Sequence, residues 1–151
     1  MIQRKTKIAA HWILQGAGSI LIISGIIIEF IYRWKRNRPH FEHIHEKLGL
    51  AALIFMLLAI ILGICAKFAK ELNNFIKPLF SKLAHNLIGI TMFSLGMVAM
   101  SNSLLTKNTM KQEDPGNVRN FLSTLTIIVL FIALMGPLKT LNNQVRSCLN
   151  K

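Results

Sequence analysis

Four apolar blocks of roughly 20 residues, separated by short polar and basic stretches, dominate the chain. Ile8–Tyr32 holds a single charge, Glu29, near its end. Leu48–Ala66, Leu83–Leu105 and Phe121–Leu138 hold none. Each block is long enough to cross a bilayer as a helix. The pattern predicts helices at about 9–32, 48–67, 83–105 and 120–138. Breakers fall between them: the run Trp34 to Pro39, then Asn73, Asn74 and Pro78, then Lys107 to Asn117 with Pro115-Gly116. Trp12, Tyr32, Trp34 and Phe41 fall near the block ends, where an aromatic belt belongs. The expected fold is all-α, a multipass membrane bundle of four transmembrane helices forming one domain over residues 1–151. No soluble domain, low-complexity segment or sequence repeat is visible.

Charge refines this picture. The 151 residues carry 18 Lys and Arg against 6 Asp and Glu, a net charge of +12. In a soluble protein that balance would suggest nucleic acid. Here the basic residues flank the apolar blocks, and no basic patch lies on a foldable soluble module, so no nucleic-acid partner is expected; membrane lipid is. Four spans place both termini on one side. That side holds ten of the Lys and Arg residues against eight on the other, which favours cytoplasmic termini. Arg4, Lys5 and Lys7 resemble the start of a signal peptide, but the apolar stretch that follows is too long and no Ala-x-Ala site closes it. A retained first helix is expected. Cys65 and Cys148 belong to no Cys-x-x-Cys motif and read as free thiols.

Three of the five histidines stand at the starts of apolar blocks. These are His11, His45 and His85. A histidine at the edge of hydrocarbon is costly unless something ligates or hydrogen-bonds it. The first and third helices run the same way, so His11 and His85 share a depth, on the side of the N-terminus. His45 opens the antiparallel second helix near the other face. A helix of about 22 residues is roughly 33 Å long, so the two levels are separated by most of the membrane. Two neutral imidazoles at one depth on facing helices suit the axial positions of a haem iron. Gly16, Gly18, Gly25, Gly49, Gly63, Gly89 and Gly96 would let a porphyrin approach the backbone, although helix packing is the commoner use of such glycines. His40, Glu42, His43, His45 and Glu46 match no strong zinc signature and read as a solvated loop. Glu29 is expected to snorkel toward the headgroups.

An ordered set of residues then carries a resemblance. His11-Trp-Ile-Leu-Gln15, Gly25, His40-Phe41, His45-x-x-x-Gly49-Leu50 and Lys82-Leu-x-His85-x-x-x-Gly89 resemble the cytochrome b561 family. Within it the chain is most similar to the cytochrome b561 domain-containing proteins of animals. The resemblance extends from about Arg4 to Val145, through Pro137 and Asn142-Asn-Gln144-Val145. It implies a fold of six helices holding two b haems, each between two histidines. His11, His45 and His85 resemble the ligands of the family's third, fourth and fifth helices. The family pairing joins His11 to His85, while His45 pairs with a histidine of the second helix. The first two family helices have no counterpart in this sequence, so one haem site is complete and the second is in doubt.

The resemblance also implies an activity: transmembrane electron transfer from cytoplasmic ascorbate to monodehydroascorbate or a ferric chelate, that is, an ascorbate-dependent ferric reductase. Arg4, Lys5, Lys7 and Lys82 are then the substrate-binding residues for the ascorbate anion, with membrane-flanking charge as their ordinary role. His40, with Arg38 and Lys107, is a candidate on the acceptor side. An endomembrane or vesicle membrane is expected rather than the plasma membrane. The alternative is a truncated or degenerate, non-enzymatic membrane subunit that pairs with a full-length relative; a homodimer is a further possible assembly. A transporter or channel has little support, because charge inside the spans is nearly absent.

Overall fold

A computed structural model describes residues 4–68, 71, 77–106 and 116–150, with only the backbone of Arg4 and Gly116. Four α-helices make up the described chain: α1 Arg4–Lys35, α2 Ile44–Lys67, α3 Pro78–Leu105 and α4 Gly116–Leu149. All four are long and apolar enough to cross a membrane, and no strand occurs among the described residues. The protein is an integral, multipass membrane protein. Lys70, Asn73, Asn74, Lys107, most of the Lys107–Asn117 loop and Lys151 lie outside the described residues.

Every helix outruns its apolar block by several residues at one end or both. The block measures hydrocarbon thickness, whereas the helix continues wherever the flanking residues favour it. Arg and Lys are good helix formers, so α1 begins at Arg4 rather than about residue 9. Pro78 starts α3 because the first helical position needs no N–H donor. Pro137 sits inside α4, which runs on to Leu149 instead of stopping near residue 138. Proline is tolerated within membrane helices, where neighbouring helices re-satisfy the backbone.

The chain divides into two compact units, residues 1–42 and 43–151. The first is α1 with the turn that closes it. Arg38 N–H donates to Arg33 O and Asn37 N–H to Trp34 O, the paired bonds of a Schellman cap. Asn37 takes the left-handed conformation such a cap requires, with φ of 48°. The segment then folds back on the helix. Arg33 Nη1 donates to Pro39 O at 3.0 Å, and the His40 ring stacks on Phe30 with centroids 4.3 Å apart. Glu29, expected to snorkel, accepts from Arg33 Nε at 2.7 Å, one helical turn on toward the helix end.

The second unit contains α2, α3 and α4, with α3 packed against both others. Met56 and Ala59 of α2 and Ala99 of α3 are its buried apolar residues. Apolar side chains elsewhere remain outward, as lipid-facing surfaces require, because helix association in lipid depends on close packing and hydrogen bonds. The α3–α4 contact is fastened at both ends. Asn86 Nδ2 donates to Pro137 O at 3.1 Å and to Gln144 Oε1 at 3.3 Å. Ser101 and Ser123 share a buried hydroxyl–hydroxyl bond of 2.7 Å. Antiparallel helices in fixed register pair residues whose numbers have a constant total. Asn86 with Pro137 and Ser101 with Ser123 satisfy this within one residue.

Candidate functional site

His45 and His85 are the two histidines that α2 and α3 contribute, and each reaches across to the other helix. His45 Nδ1 lies 2.9 Å from Ala99 O, and His85 Nδ1 lies 3.0 Å from Ala59 O. A backbone carbonyl only accepts, so Nδ1 carries the proton in both rings, and in the neutral imidazole the lone pair is then on Nε2. That is the tautomer of a metal-ligating histidine, whose second ring nitrogen donates to a carbonyl or carboxylate.

The two bonds are reciprocal. Both pairs of residue numbers total 144, which sets the antiparallel register of α2 against α3. The same bonds expose a degenerate repeat that apolar patterning concealed. His45-x3-Gly49-x9-Ala59 recurs 40 residues later as His85-x3-Gly89-x9-Ala99. Two such segments on antiparallel helices are related by an approximate twofold axis across the pair, so each end presents one histidine in equivalent chemistry. Fourteen residues separate the level of His45 from that of Ala59, and hence from His85. At 1.5 Å per residue this is about 21 Å. The separation is less than the whole membrane because His85 stands well inside its helix. Both His11 and His85 follow their helix starts by seven residues, about two turns, rather than lying in the first turn.

The surroundings of the two rings differ. His85 is half-buried and His45 exposed. A Cβ built on Gly63 would come within 3.1 Å of His85 Cε1. Ser81, one turn before His85, is buried at 4% exposure, and its hydroxyl has no hydrogen-bond partner among the described residues. Ser81, Gly63's contact with the ring, the two alanine carbonyls and the Asn86 clamp are all absent from the sequence-based site. A serine in an apolar helix gives no sign of its partner, and a carbonyl gives none at all.

The remaining expected site residues are dispersed. His11 lies in α1, in the first unit. Lys5, Lys7 and Lys82 are exposed, and the side chain of Arg4 lies outside the described residues. His40 is held against Phe30 on the first unit, while Lys107 is not described. Among the described residues no three His, Cys, Asp or Glu side chains gather to hold a metal ion. A haem iron asks only two histidines of the protein, so this bears on simple metal sites alone.

The family model for eukaryotic cytochrome b561 matches residues 1–111, which takes in α1, α2 and α3 and ends before α4. No curated protein matches the chain, and no solved structure does.

Proposed function

The chain belongs to the cytochrome b561 family, whose members bind haem b and transfer electrons across a membrane, and from that premise we propose an ascorbate-dependent reductase of ferric chelates or monodehydroascorbate. The observation that carries this reading is the reciprocal pair of bonds His45–Ala99 and His85–Ala59. Each commits Nδ1 to a carbonyl and so turns Nε2 away from it, at two levels about 21 Å apart.

His85 would be one of the residues that hold a haem, with His11 as the partner that the family pairing implies. His45 would be a ligand of a second haem. Apart from His11 and the loop histidines His40 and His43, the chain offers only His85 beside it. The orphaned Ser81 hydroxyl is a donor suited to a haem propionate. When bound, haem supplies a one-electron carrier whose potential the protein tunes by ligand donation and burial.

The residues of this chain do the rest. Ala59 O and Ala99 O hold the protons on Nδ1 and strengthen ligand donation. Arg4, Lys5, Lys7 and Lys82 would attract the ascorbate anion, which gives up one electron and one proton to become monodehydroascorbate. On the other side His40 would receive the acceptor: a ferric chelate takes the electron and becomes ferrous. The termini would face the cytoplasm of an endomembrane or vesicle.

The test is a reduced-minus-oxidised absorbance spectrum of the detergent-purified protein, with haem stoichiometry, followed by proteoliposomes loaded with ascorbate and an external ferric chelate. A b-type spectrum and ferrous product outside are expected. A haem reduced by dithionite but not by ascorbate would remove the donor assignment. A protein without haem would remove the reading altogether.

A further inference from the structure

Gly63 stands apart from the other glycines of its unit. At Gly49, Gly89, Gly96 and Gly136 an added Cβ would meet nothing within 4 Å. At Gly63 it would lie 3.1 Å from His85 Cε1, 3.3 Å from Nδ1 and 3.9 Å from Nε2. These three nearest atoms all belong to one imidazole, so the glycine faces the ring. The contact is tighter than van der Waals distance allows without a shift of a few tenths of an ångström.

The helix geometry says why the ring comes so close. Ala59 O accepts the Gly63 N–H four residues along α2, as in any α-helix, and accepts His85 Nδ1–H as well. To reach a carbonyl that points along the helix toward residue 63, the His85 imidazole passes close over the Cα of Gly63. A Cβ on residue 63 would press on the ring along that path, 3.1 Å from Cε1. The equivalent position beside Ala99 is Ser103, and His45 still lies 2.9 Å from Ala99 O there, so the close approach is particular to the pose of His85 over Gly63 and not a requirement of the bond.

We propose that Gly63 is a positioning residue for His85: its missing side chain admits the ring to Ala59 O and so sets the orientation and donor strength of that ligand. The inference rests on the reading of His85 as a haem ligand. In Gly63→Ala the ring must retreat or turn, and the Nδ1–H···O bond lengthens or breaks. With haem bound, the ring would be held at both nitrogens and would have little freedom to yield. Loss of the carbonyl bond weakens imidazole donation, destabilises the oxidised centre and raises its midpoint potential.

The experiment compares the wild-type holoprotein with Gly63→Ala and, as a control in α4, Gly136→Ala. It records the redox titration, the low-spin EPR signal of the oxidised protein and the histidine 15N spectrum of the reduced protein. The expected result is a raised potential for one haem component, an altered EPR signal, and loss of one hydrogen-bonded Nδ1–H resonance while that of His45 persists. Gly136→Ala should match the wild type in all three. A Gly63→Ala protein with wild-type potential, EPR signal and both Nδ1–H resonances would overturn the proposal. A wild type without haem would overturn the ligand reading instead, and the Nδ1–H resonance would still report on Gly63.

Discussion

The hydroxyl pair Ser101–Ser123 offers a test of how α3 is held to α4. Both residues are buried, at 8% and 3% exposure, and their oxygens are 2.7 Å apart. Hydrogen bonds between membrane helices average about 0.6 kcal/mol and reach about 1.7. A short bond shielded from water belongs in the upper half of that range. Removing one hydroxyl strands the other, but not fully. Thr126, Thr91, Thr140 and Ser147 each donate to the carbonyl four residues back in their own helix. The stranded serine has the same retreat, at a cost in helix geometry. Ser101→Ala and Ser123→Ala should therefore each destabilise the protein by about 1 kcal/mol. The double variant leaves no orphan, and should cost no more than either single variant. The expected coupling is about 1 kcal/mol, read from SDS-induced unfolding of detergent-solubilised protein by circular dichroism. Single effects that add within about 0.3 kcal/mol would refute the bond and, with it, the α3–α4 register drawn from it.

Asn86→Ala removes two donations, to Pro137 O and Gln144 Oε1, and should cost about 1–2 kcal/mol in the same unfolding assay; Gln144→Ala made on that background should add little. Met56→Ala, at a side chain only 2% exposed between helices, should cost about 2–3 kcal/mol, and a cost below 1 would mean that α2 does not pack there. His85→Ala should lose one haem component by pyridine haemochrome, and full retention would exclude His85 as a ligand. Charge removal at the exposed lysines, Lys5→Gln, Lys7→Gln and Lys82→Gln together, should raise the KM for ascorbate several-fold at low salt and much less at high salt. An unchanged KM would return those lysines to a membrane-flanking role.

Much of the architecture is legible from composition and order. Apolar runs of this length leave a chain few choices, because a backbone in hydrocarbon must satisfy its own hydrogen bonds. The four helices therefore follow from the pattern, and their ends do not. Pro78 and Pro137 look alike in sequence, yet one starts α3 and the other lies within α4. Glu29 shows the same limit. Its position near a helix end suggested snorkelling, and only the side-chain geometry of Arg33 revealed the pair.

For the site, residue identity and spacing single out His11, His45 and His85, because an imidazole in an apolar helix is conspicuous. What each ring does is set by atoms that carry no letter. Ala59 O and Ala99 O are backbone groups, and their role depends on how α2 lies against α3. The repeat of 40 residues is three letters long and disappears among the apolar residues until the bonds mark which letters matter. Gly63 is one glycine among the seven of α1, α2 and α3 until a neighbouring ring distinguishes it. Sequence alone thus determines the membrane, the helix count and the family, since these depend on local composition and the order of a few residues. The tautomers, the register and the identity of the glycine that matters arise only when two helices meet, because hydrogen bonds and close contacts belong to pairs of surfaces and not to either strand of letters.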